Sequence, residues 1–255
     1  MKKYILILFL ISKINFYSQD FNNFEKEINY LLEKRDYWHE SSSEKSFDSL
    51  QKYSLKMEKL ILNCTSKNPK SLNHNFKNLS KSIYIQTSDD GLFRIYSWNT
   101  LEGGTMQFYK NIFQYEIDDK VFSKINVIEN YDNGCNYFEI NDVVVNQKHY
   151  YVTSSVAVGS SAVFYYKAKI FSIENGILNE NAKLIKTKSG MRNSLGYEID
   201  LSSSSNKNND DIMDYIKLIY DKKNKTIIIP LIKENGFITK QKIKYKFNGK
   251  YFEKI

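Results

Sequence analysis

Residues 242–252 read KIKYKFNGKYF, and the first six of them alternate lysine with a large apolar side chain. Successive side chains of a β-strand point to opposite faces, so this alternation predicts a strand with one face in a core and one in water. Asn248-Gly249 follows directly and is a strong signal for a tight hairpin turn, because both residues tolerate a positive φ angle. The segment predicts an antiparallel β structure at the end of the chain.

Strand-like composition extends back from this segment to about residue 81. Tyrosine, phenylalanine, isoleucine and valine are abundant there, as strands prefer. Turn signals of the Asp-Gly or Asn-Gly type recur at residues 90–91, 133–134, 175–176 and 235–236. The predicted strands cover residues 83–87, 92–98, 105–116, 121–128, 136–145, 149–157, 162–173, 182–187, 195–201, 214–220, 225–232, 238–247 and 251–254. The fold class is therefore mainly β, an antiparallel meander arranged as a sandwich, a barrel or a highly twisted sheet, with a small β-propeller as the alternative.

The first 80 residues differ from the rest of the 255-residue chain. Apolar residues at helical spacing predict helices over 20–38 and about 44–62, joined by the polar Ser41-Ser42-Ser43. On the second helix, Phe47 and Ile61 are expected on the same apolar face. The predicted organisation is a leader over 1–18, an N-terminal helical hairpin over 19–80 and an antiparallel β domain over 81–255. The hairpin either packs on the β domain, which we favour, or serves as a partner-binding arm.

The N-terminus has the pattern of a cleavable signal peptide. Lys2 and Lys3 precede an apolar run from Tyr4 to Ser12, which is too short to span a bilayer, and Ser18 is a plausible cleavage position. A retained membrane anchor is the rival interpretation. No later segment is apolar enough to cross a membrane. The sequence therefore predicts an exported protein of the periplasm, the cell surface or the medium.

Charge and cysteine content limit the partners. The first 18 residues contain three lysines and no acidic residue, so their removal lowers the formal net charge from +8 to +5. The remaining lysines are dispersed, which argues against a nucleic-acid partner. Export permits a disulfide between Cys64 and Cys135, but the sequence leaves that bond open. The three histidines lack ligand spacing, so we expect no metal and no cofactor.

The sequence contains no nucleophile elbow, no phosphate-binding glycine loop and no zinc-protease motif. Paired carboxylates at 89–90, 118–119 and 210–211 fall in turns or loops, where they are expected to serve turn geometry. Arg94, Tyr96 and Trp98 would share one face of a strand, and Glu102 follows in the loop that contains Gly103-Gly104. These four residues are the ligand-binding candidates, because aromatic rings stack on ligands and arginine binds carboxylates. The other interpretation, which we favour, is a β-hairpin whose aromatic side chains pack against the helices.

Residues 88–98, which read SDDGLFRIYSW, together with Gly103-Gly104-Thr105-Met106, resemble a stretch found in uncharacterised secreted proteins of Bacteroidetes-type bacteria. Residues 245–252, which read YKFNGKYF, are similar to the C-terminal ends of those proteins. The matches cover about a sixth of the chain. The resemblance implies export and a shared β domain, and it implies no activity.

The leading functional hypothesis is a non-catalytic binding or interaction module outside the cytoplasm, with a glycan, a peptide or an envelope protein as its partner. It rests on the missing catalytic motifs and on the many aromatic residues, which include 20 tyrosines and 16 phenylalanines. One alternative is a glycan- or peptide-directed hydrolase whose carboxylates, Glu102 first, are assembled from separate strands. Another is a structural or inhibitory partner of an envelope protein that uses the helices as its contact surface.

Overall fold

Two helices form the N-terminal part of the computed structural model, which describes residues 2–79, 81–127, 132–206 and 212–255, and of residues 2–20 only the backbone. Helix α1 spans Lys2–Glu40 and helix α2 spans Ser46–Lys67, and the two pack against each other as the predicted hairpin. The predicted leader over 1–18 lies outside the residues whose side chains are described, so it stays a prediction. Phe47 was expected on the buried face of α2, but it is 56% exposed, so that expectation is wrong.

Strands account for most of the chain after the helices. They are β1 (Ile83–Thr87), β2 (Phe93–Asn99), β3 (Tyr109–Ile117), β4 (Lys120–Ile125), β5 (Asn136–Val145), β6 (Lys148–Val158), β7 (Val163–Glu174), β8 (Ile177–Asn179), β9 (Ile185–Thr187), β10 (Gly190–Arg192), β11 (Ser194–Asp200), β12 (Ile219–Asp221), β13 (Thr226–Ile232), β14 (Ile238–Phe247) and β15 (Phe252–Lys254). The mainly β, antiparallel fold class with an N-terminal hairpin is therefore confirmed.

The strands pair into three successive sheets. Sheet 1 has the order β1-β2-β3-β4, sheet 2 the order β11-β7-β6-β5 with β8 also paired to β7, and sheet 3 the order β10-β9-β15-β14-β13-β12. All pairs are antiparallel except β15 with β9. In the described ranges each sheet keeps two open edges, so the strands form neither a closed barrel nor a set of equal propeller blades.

Three apolar cores join the hairpin and the sheets in the order helices, sheet 1, sheet 2, sheet 3. The hairpin core lies between the helices and sheet 1 and is formed by Phe21, Phe24, Ile28, Leu31, Leu32, Met57, Ile61, Phe76, Ile83, Tyr96, Trp98 and Ile112. The central core lies between sheets 1 and 2 and is formed by Phe93, Ile95, Phe113, Tyr115, Tyr137, Ile140, Tyr151, Phe171 and Leu178. The C-terminal core joins sheets 2 and 3 and includes Val152, Tyr166, Ala168, Ile170, Ile199, Ile227 and Phe252.

Turn geometry agrees with the sequence in most places. Asp118 and Asp119 both have a positive φ angle in the two-residue turn between β3 and β4, which confirms their role in turn geometry. The turn at Asn248-Gly249 is longer than predicted, because Phe247 pairs with Phe252 and four residues lie between them. Gly249 has a φ angle of +95°, a conformation that side chains other than glycine rarely adopt. Among the residues whose side chains are described, no helix is long and apolar enough to cross a membrane.

Candidate functional site

The predicted binding face of Arg94, Tyr96 and Trp98 is buried. The exposed fractions of these side chains are 6%, 1% and 1%, respectively. Tyr96 and Trp98 point from β2 into the hairpin core, where the helices cover them. The interpretation as an exposed ligand-binding face is therefore corrected, since the rings of Tyr96 and Trp98 are covered and only a small part of Arg94 reaches a surface cavity.

Arg94 anchors the segment that follows α2 to sheet 1. Its guanidinium donates to the backbone carbonyls of Ser71 and His74 at 2.7 and 2.8 Å and to Thr87 Oγ1 at 2.7 Å. The ring of Phe76 lies 5.7 Å from the guanidinium carbon. Arginine provides this planar set of donors, and lysine does not. Arg94 is therefore a structural residue of the fold.

Tyr96 belongs to a buried hydrogen-bond network that holds α2 on the same sheet. Its hydroxyl donates to Gln114 Oε1 at 3.0 Å, and the Gln114 amide donates to the Thr65 carbonyl and to Ser71 Oγ at 2.8 and 2.7 Å. Burial raises the pKa of Tyr96 above its ordinary value, so the phenol remains protonated and able to donate. The network satisfies polar groups that the hairpin would otherwise bury unpaired.

Glu102 lies exposed in the loop after β2. Its charge acts on Arg35 of α1, whose pKa is lowered by burial and raised in part by Asp36 and Glu102. A Cβ atom on Gly103 would lie 2.1 Å from the Met106 carbonyl oxygen, so this loop geometry requires glycine. Glu102 does not line the cavity of about 920 Å³ that sheet 2 forms. The predicted catalytic role for Glu102 therefore gains no support from its position.

No disulfide joins Cys64 and Cys135. Cys64 packs on the hairpin core and Cys135 on the central core, so sheet 1 lies between them. Burial raises the pKa of the Cys135 thiol, although hydrogen bonds with Ser155 and Tyr137 act in the opposite direction. A thiol with a raised pKa is a poor nucleophile at neutral pH, which argues against Cys135 as a catalytic nucleophile.

A large concave surface lies on the face of sheet 2 that is turned toward sheet 1, beyond the central core. Along β7, Phe171 lies in that core, and Lys169, Lys167 and Tyr165 follow on the same face outside it. The opposite face of β7 enters the C-terminal core through Tyr166, Ala168 and Ile170. The alternation of β7 therefore provides a core on one side and a polar floor on the other.

We call this concave surface the sheet-2 cleft, and it has a cavity volume of about 920 Å³. Its floor comes from β5, β6 and β7, and its walls come from residues 124–127 and 132–135 and from the β7–β8 turn with the residues beyond it. It is lined by Lys124, Asn126, Val127, Asp132, Asn133, Gly134, Cys135, Tyr137, Ser155, Ala157, Tyr165, Lys167, Lys169, Glu174, Asn175, Ile177, Leu178, Asn179, Glu180 and Asn181.

Tyr165 presents an aromatic ring in the cleft. It is 40% exposed, and its hydroxyl lies over Gly196 of β11, where a Cβ atom would be 2.2 Å away. The Lys167 ammonium lies 5.4 Å from the ring centroid, within the range of a cation–π contact. The absence of a side chain at Gly196 therefore gives the ring room to lie in this position.

Glu180 holds two of the cleft lysines. Its carboxylate lies 2.6 Å from Lys124 Nζ and 3.3 Å from Lys169 Nζ. Burial on its own would raise the pKa of Glu180, but the hydrogen bonds and charges of the two lysines outweigh it and lower that pKa. Glu180 is therefore anionic at neutral pH and fixes both lysines.

Glu174 is fixed in the same way at the β7–β8 turn. It lies 2.6 Å from Lys148 Nζ, accepts from the Asn179 amide at 3.2 Å and contacts the Ser172 hydroxyl. The hydrogen bond from Lys148 is the main cause of its lowered pKa. Both glutamates of the cleft are therefore carboxylates engaged by neighbouring groups, and neither is a ready proton donor.

Replacing Glu180 with glutamine should lower the free energy of unfolding by about 1 to 2 kcal/mol at pH 7, because Lys124 and Lys169 lose a charged partner. The pKa of Glu180 is lower in the folded protein than in the unfolded chain, where it is near 4.5. The carboxylate therefore stabilises the fold above pH 4.5, and this contribution disappears as the pH falls through the pKa of the folded state. The difference between the wild type and the variant should therefore shrink below pH 4.5. Urea denaturation at several pH values measures it. Glu198→Gln, at an exposed position of β11 in sheet 2, is the control. A difference independent of pH would contradict the prediction.

A second polar cluster joins the three sheets beside the cleft. Asp90, in the β1–β2 turn, accepts from His149 Nδ1 at 2.8 Å and from the Tyr151 hydroxyl at 3.1 Å. The neighbouring Asp89 carboxylate lies 3.3 Å from Lys222 Nζ, next to sheet 3. These contacts assign the Asp89-Asp90 pair to the junction of the sheets as well as to its turn.

The cleft residues were not singled out by sequence reasoning. The strand over 162–173 was predicted, and its alternation contains Lys167 and Lys169, but no local motif distinguishes that face from any other solvated face. Gly196 inside a predicted strand is the signal that could have located the cleft, because such a glycine marks a close approach. Within the described ranges, no group of three or more histidine, cysteine, aspartate or glutamate side chains could hold a metal ion.

Comparison with known proteins adds no relative, because no family model, no curated protein and no solved structure matches the chain.

Proposed function

We propose that the protein is an exported, non-catalytic glycan-binding module whose binding site is the sheet-2 cleft. The observation that carries this proposal is the combination of a wide concave surface with an exposed aromatic ring, several lysines and five asparagine side chains in its lining. Those asparagines are Asn126, Asn133, Asn175, Asn179 and Asn181. Its volume lies within the range of small-ligand sites, roughly 300 to 1,000 Å³.

The lining suits a polyhydroxylated ligand. An amide side chain both donates and accepts, as a sugar hydroxyl does, so the two match in pairs. Internal bonds orient some of these amides. Asn133 donates to the carbonyls of Gln107 and Val158 at 2.9 and 3.0 Å, and the Asn181 oxygen accepts from Asn193 at 2.9 Å. Tyr165 supplies an apolar ring on which the carbon face of a sugar can lie.

The charges of the cleft favour binding over hydrolysis. A glycoside hydrolase needs one carboxyl group that stays protonated near neutral pH as a general acid. Glu174 and Glu180 have lowered pKa values, which is the opposite of that requirement. The hydrolase alternative therefore has weaker support than the binding module.

The helices support the partner-binding alternative less strongly. Phe47 and Leu55 of α2 are exposed, as are Tyr30 and Tyr37 of α1. Isolated exposed apolar side chains are normal on protein surfaces and do not by themselves indicate an interface. The export part of the proposal rests on the leader over 1–18, and the N-terminal mass of the exported protein tests it, with cleavage expected after Ser18.

Replacing Tyr165 with alanine should weaken glycan binding about tenfold, because the stacking surface is lost. Purified protein is first screened against immobilised neutral and acidic polysaccharides, and the best ligand is then titrated by calorimetry into the wild type and the variant. A Gly196→Ala variant should weaken binding in the same direction, since its Cβ displaces the Tyr165 hydroxyl.

Tyr84→Ala is the matched control for this experiment. Tyr84 of β1 is 46% exposed, close to Tyr165 in exposure, and it does not line the cleft. Its replacement should leave binding unchanged. The proposal is wrong if the wild type binds no glycan, or if the two tyrosine variants lose the same affinity.

A further inference from the structure

The charge balance of the cleft leaves one lysine available to a ligand. Lys124 and Lys169 share Glu180, while Glu174 is bound by Lys148, which lies outside the cleft lining. Within the described part of the chain, no carboxylate oxygen lies within 4.0 Å of the Lys167 ammonium. Among the described residues, the floor of the cleft therefore contains a positive charge without a carboxylate partner.

Lys167 lies on the β7 part of the floor, between Tyr165 and Lys169. It is half-buried on β7, pairs across the ladder with Ser155 of β6 and with Gly196 of β11, and has the Tyr165 ring beside it. Asp132, the remaining acid of the lining, is exposed and accepts the Gly134 N–H at 2.9 Å. A ligand that stacks on Tyr165 would thus place its edge next to an ammonium group.

We propose that the cleft selects saccharides that carry a carboxylate, and that Lys167 binds this carboxylate while the sugar ring stacks on Tyr165. This inference rests on the proposed glycan-binding function and names its ligand class. One unpaired lysine matches the single charge of a carboxylate. A phosphate carries about −1.5 to −2 at pH 7 and is commonly bound by arginine forks, and the cleft lining contains no arginine.

The construction of the floor favours a saccharide over an extended peptide. Peptides that add to a sheet use the free N–H and C=O groups of an edge strand. Here β6 and β7 are interior strands of sheet 2, and each is paired on both sides. On the part of the floor formed by β6 and β7, recognition therefore comes from side chains, which include a hydroxyl, a phenol ring and an ammonium.

The test compares one saccharide backbone with and without its charge. Oligogalacturonate and its fully methyl-esterified form are titrated by calorimetry into the purified full chain, and a neutral xylan oligomer serves as a third probe. The wild type should bind the acid about tenfold more tightly than the ester, and the preference should shrink from 50 to 500 mM NaCl because salt screens the charge.

Variants at Lys167 separate charge recognition from structure. Lys167→Gln should lose the preference and bind acid and ester alike, while Lys167→Arg should retain most of it. Lys244→Gln, at an exposed position of β14, removes the same charge outside the cleft and should retain the preference. Circular dichroism checks that each variant is folded.

The outcomes distinguish the carboxylate inference from the proposed glycan-binding function. A wild type that binds the ester as tightly as the acid, or that binds only neutral xylan, overturns the carboxylate inference and leaves the glycan-binding module standing. A Lys244→Gln variant that loses the preference together with Lys167→Gln also overturns the inference. Binding of none of the probes, after a polysaccharide screen without a positive, overturns both.

Discussion

Replacing Arg94 with alanine should lower the free energy of unfolding by about 3 to 4 kcal/mol. The variant removes the 2.7 Å donor of the buried Ser71 carbonyl, which keeps only the longer 3.3 Å bond from the Tyr96 hydroxyl, and it removes the donor of the part-buried His74 carbonyl. A lost hydrogen bond from a charged donor and an unsatisfied buried group each cost about 1 to 3 kcal/mol. The contact of the guanidinium with the Phe76 ring is lost as well. For a chain of this length the melting temperature should fall by about 10 °C. Urea denaturation followed by circular dichroism measures the difference.

Two further variants test whether the loss of stability comes from the hydrogen bonds of Arg94. Arg192→Ala removes the same side chain from an exposed position of β10 and should change stability by less than about 0.5 kcal/mol. Arg94→Lys keeps the charge but lacks the planar set of donors, so it should remain closer to alanine than to the wild type. An Arg94→Ala protein as stable as the wild type would contradict the structural role and reopen the ligand-binding hypothesis.

The segment around Arg94 shows where alternation in the sequence no longer predicts which side chains are buried. A strand with one apolar face reveals its orientation through alternation, as in residues 242–247. In β2 every residue from Phe93 to Trp98 is buried, because one face packs in the central core and the other in the hairpin core. An arginine in such a strand resembles a surface residue in the sequence. Only the carbonyls that meet it in three dimensions show that it is a buried anchor.

Strand positions were largely predictable, but two of the three-residue strands were not. The limits predicted for β5, 136–145, agree with the structure, and most other strands agree within a few residues. The strands β8 and β10 have three residues each and were missed, since so few residues cannot show a period. The strand predicted over 214–220 is shorter, because residues 212–214 form a 3-10 turn and β12 begins at Ile219.

The cleft was not predictable because its parts are distant in sequence. Its lining comes from residues 124–127 and 132–135, from β5, β6 and β7, and from residues 174–181, and only the pairing of sheet 2 and its packing on sheet 1 bring them together. Each part has an ordinary role when taken alone. The Asn175-Gly176 turn, for example, was predicted as a turn, and it is one, but it also forms a wall of the cleft.

Replacing Trp98 with alanine should lower the free energy of unfolding by about 3 to 5 kcal/mol, the range for removing a large aromatic side chain from a core. Trp98 is 1% exposed and packs in the hairpin core between the helices and sheet 1. Trp38→Ala, at the half-buried end of α1, is the matched control and should cost about 1 kcal/mol. Urea denaturation of both variants measures the difference, and equal losses would contradict the assignment of Trp98 to the core.

The position of Trp98 also predicts where the protein loosens. The hairpin is held to sheet 1 through this core. The cavity left by the Trp98→Ala substitution should therefore weaken the attachment of α1 and α2 more than it weakens sheet 3, whose side chains lie in the C-terminal core. Amide hydrogen exchange of the Trp98→Ala variant should therefore accelerate in both helices and remain slow in β13 and β14. Uniform acceleration would mean that the three cores unfold as one unit, and the helices would then be an integral part of the β structure rather than a layer docked on it.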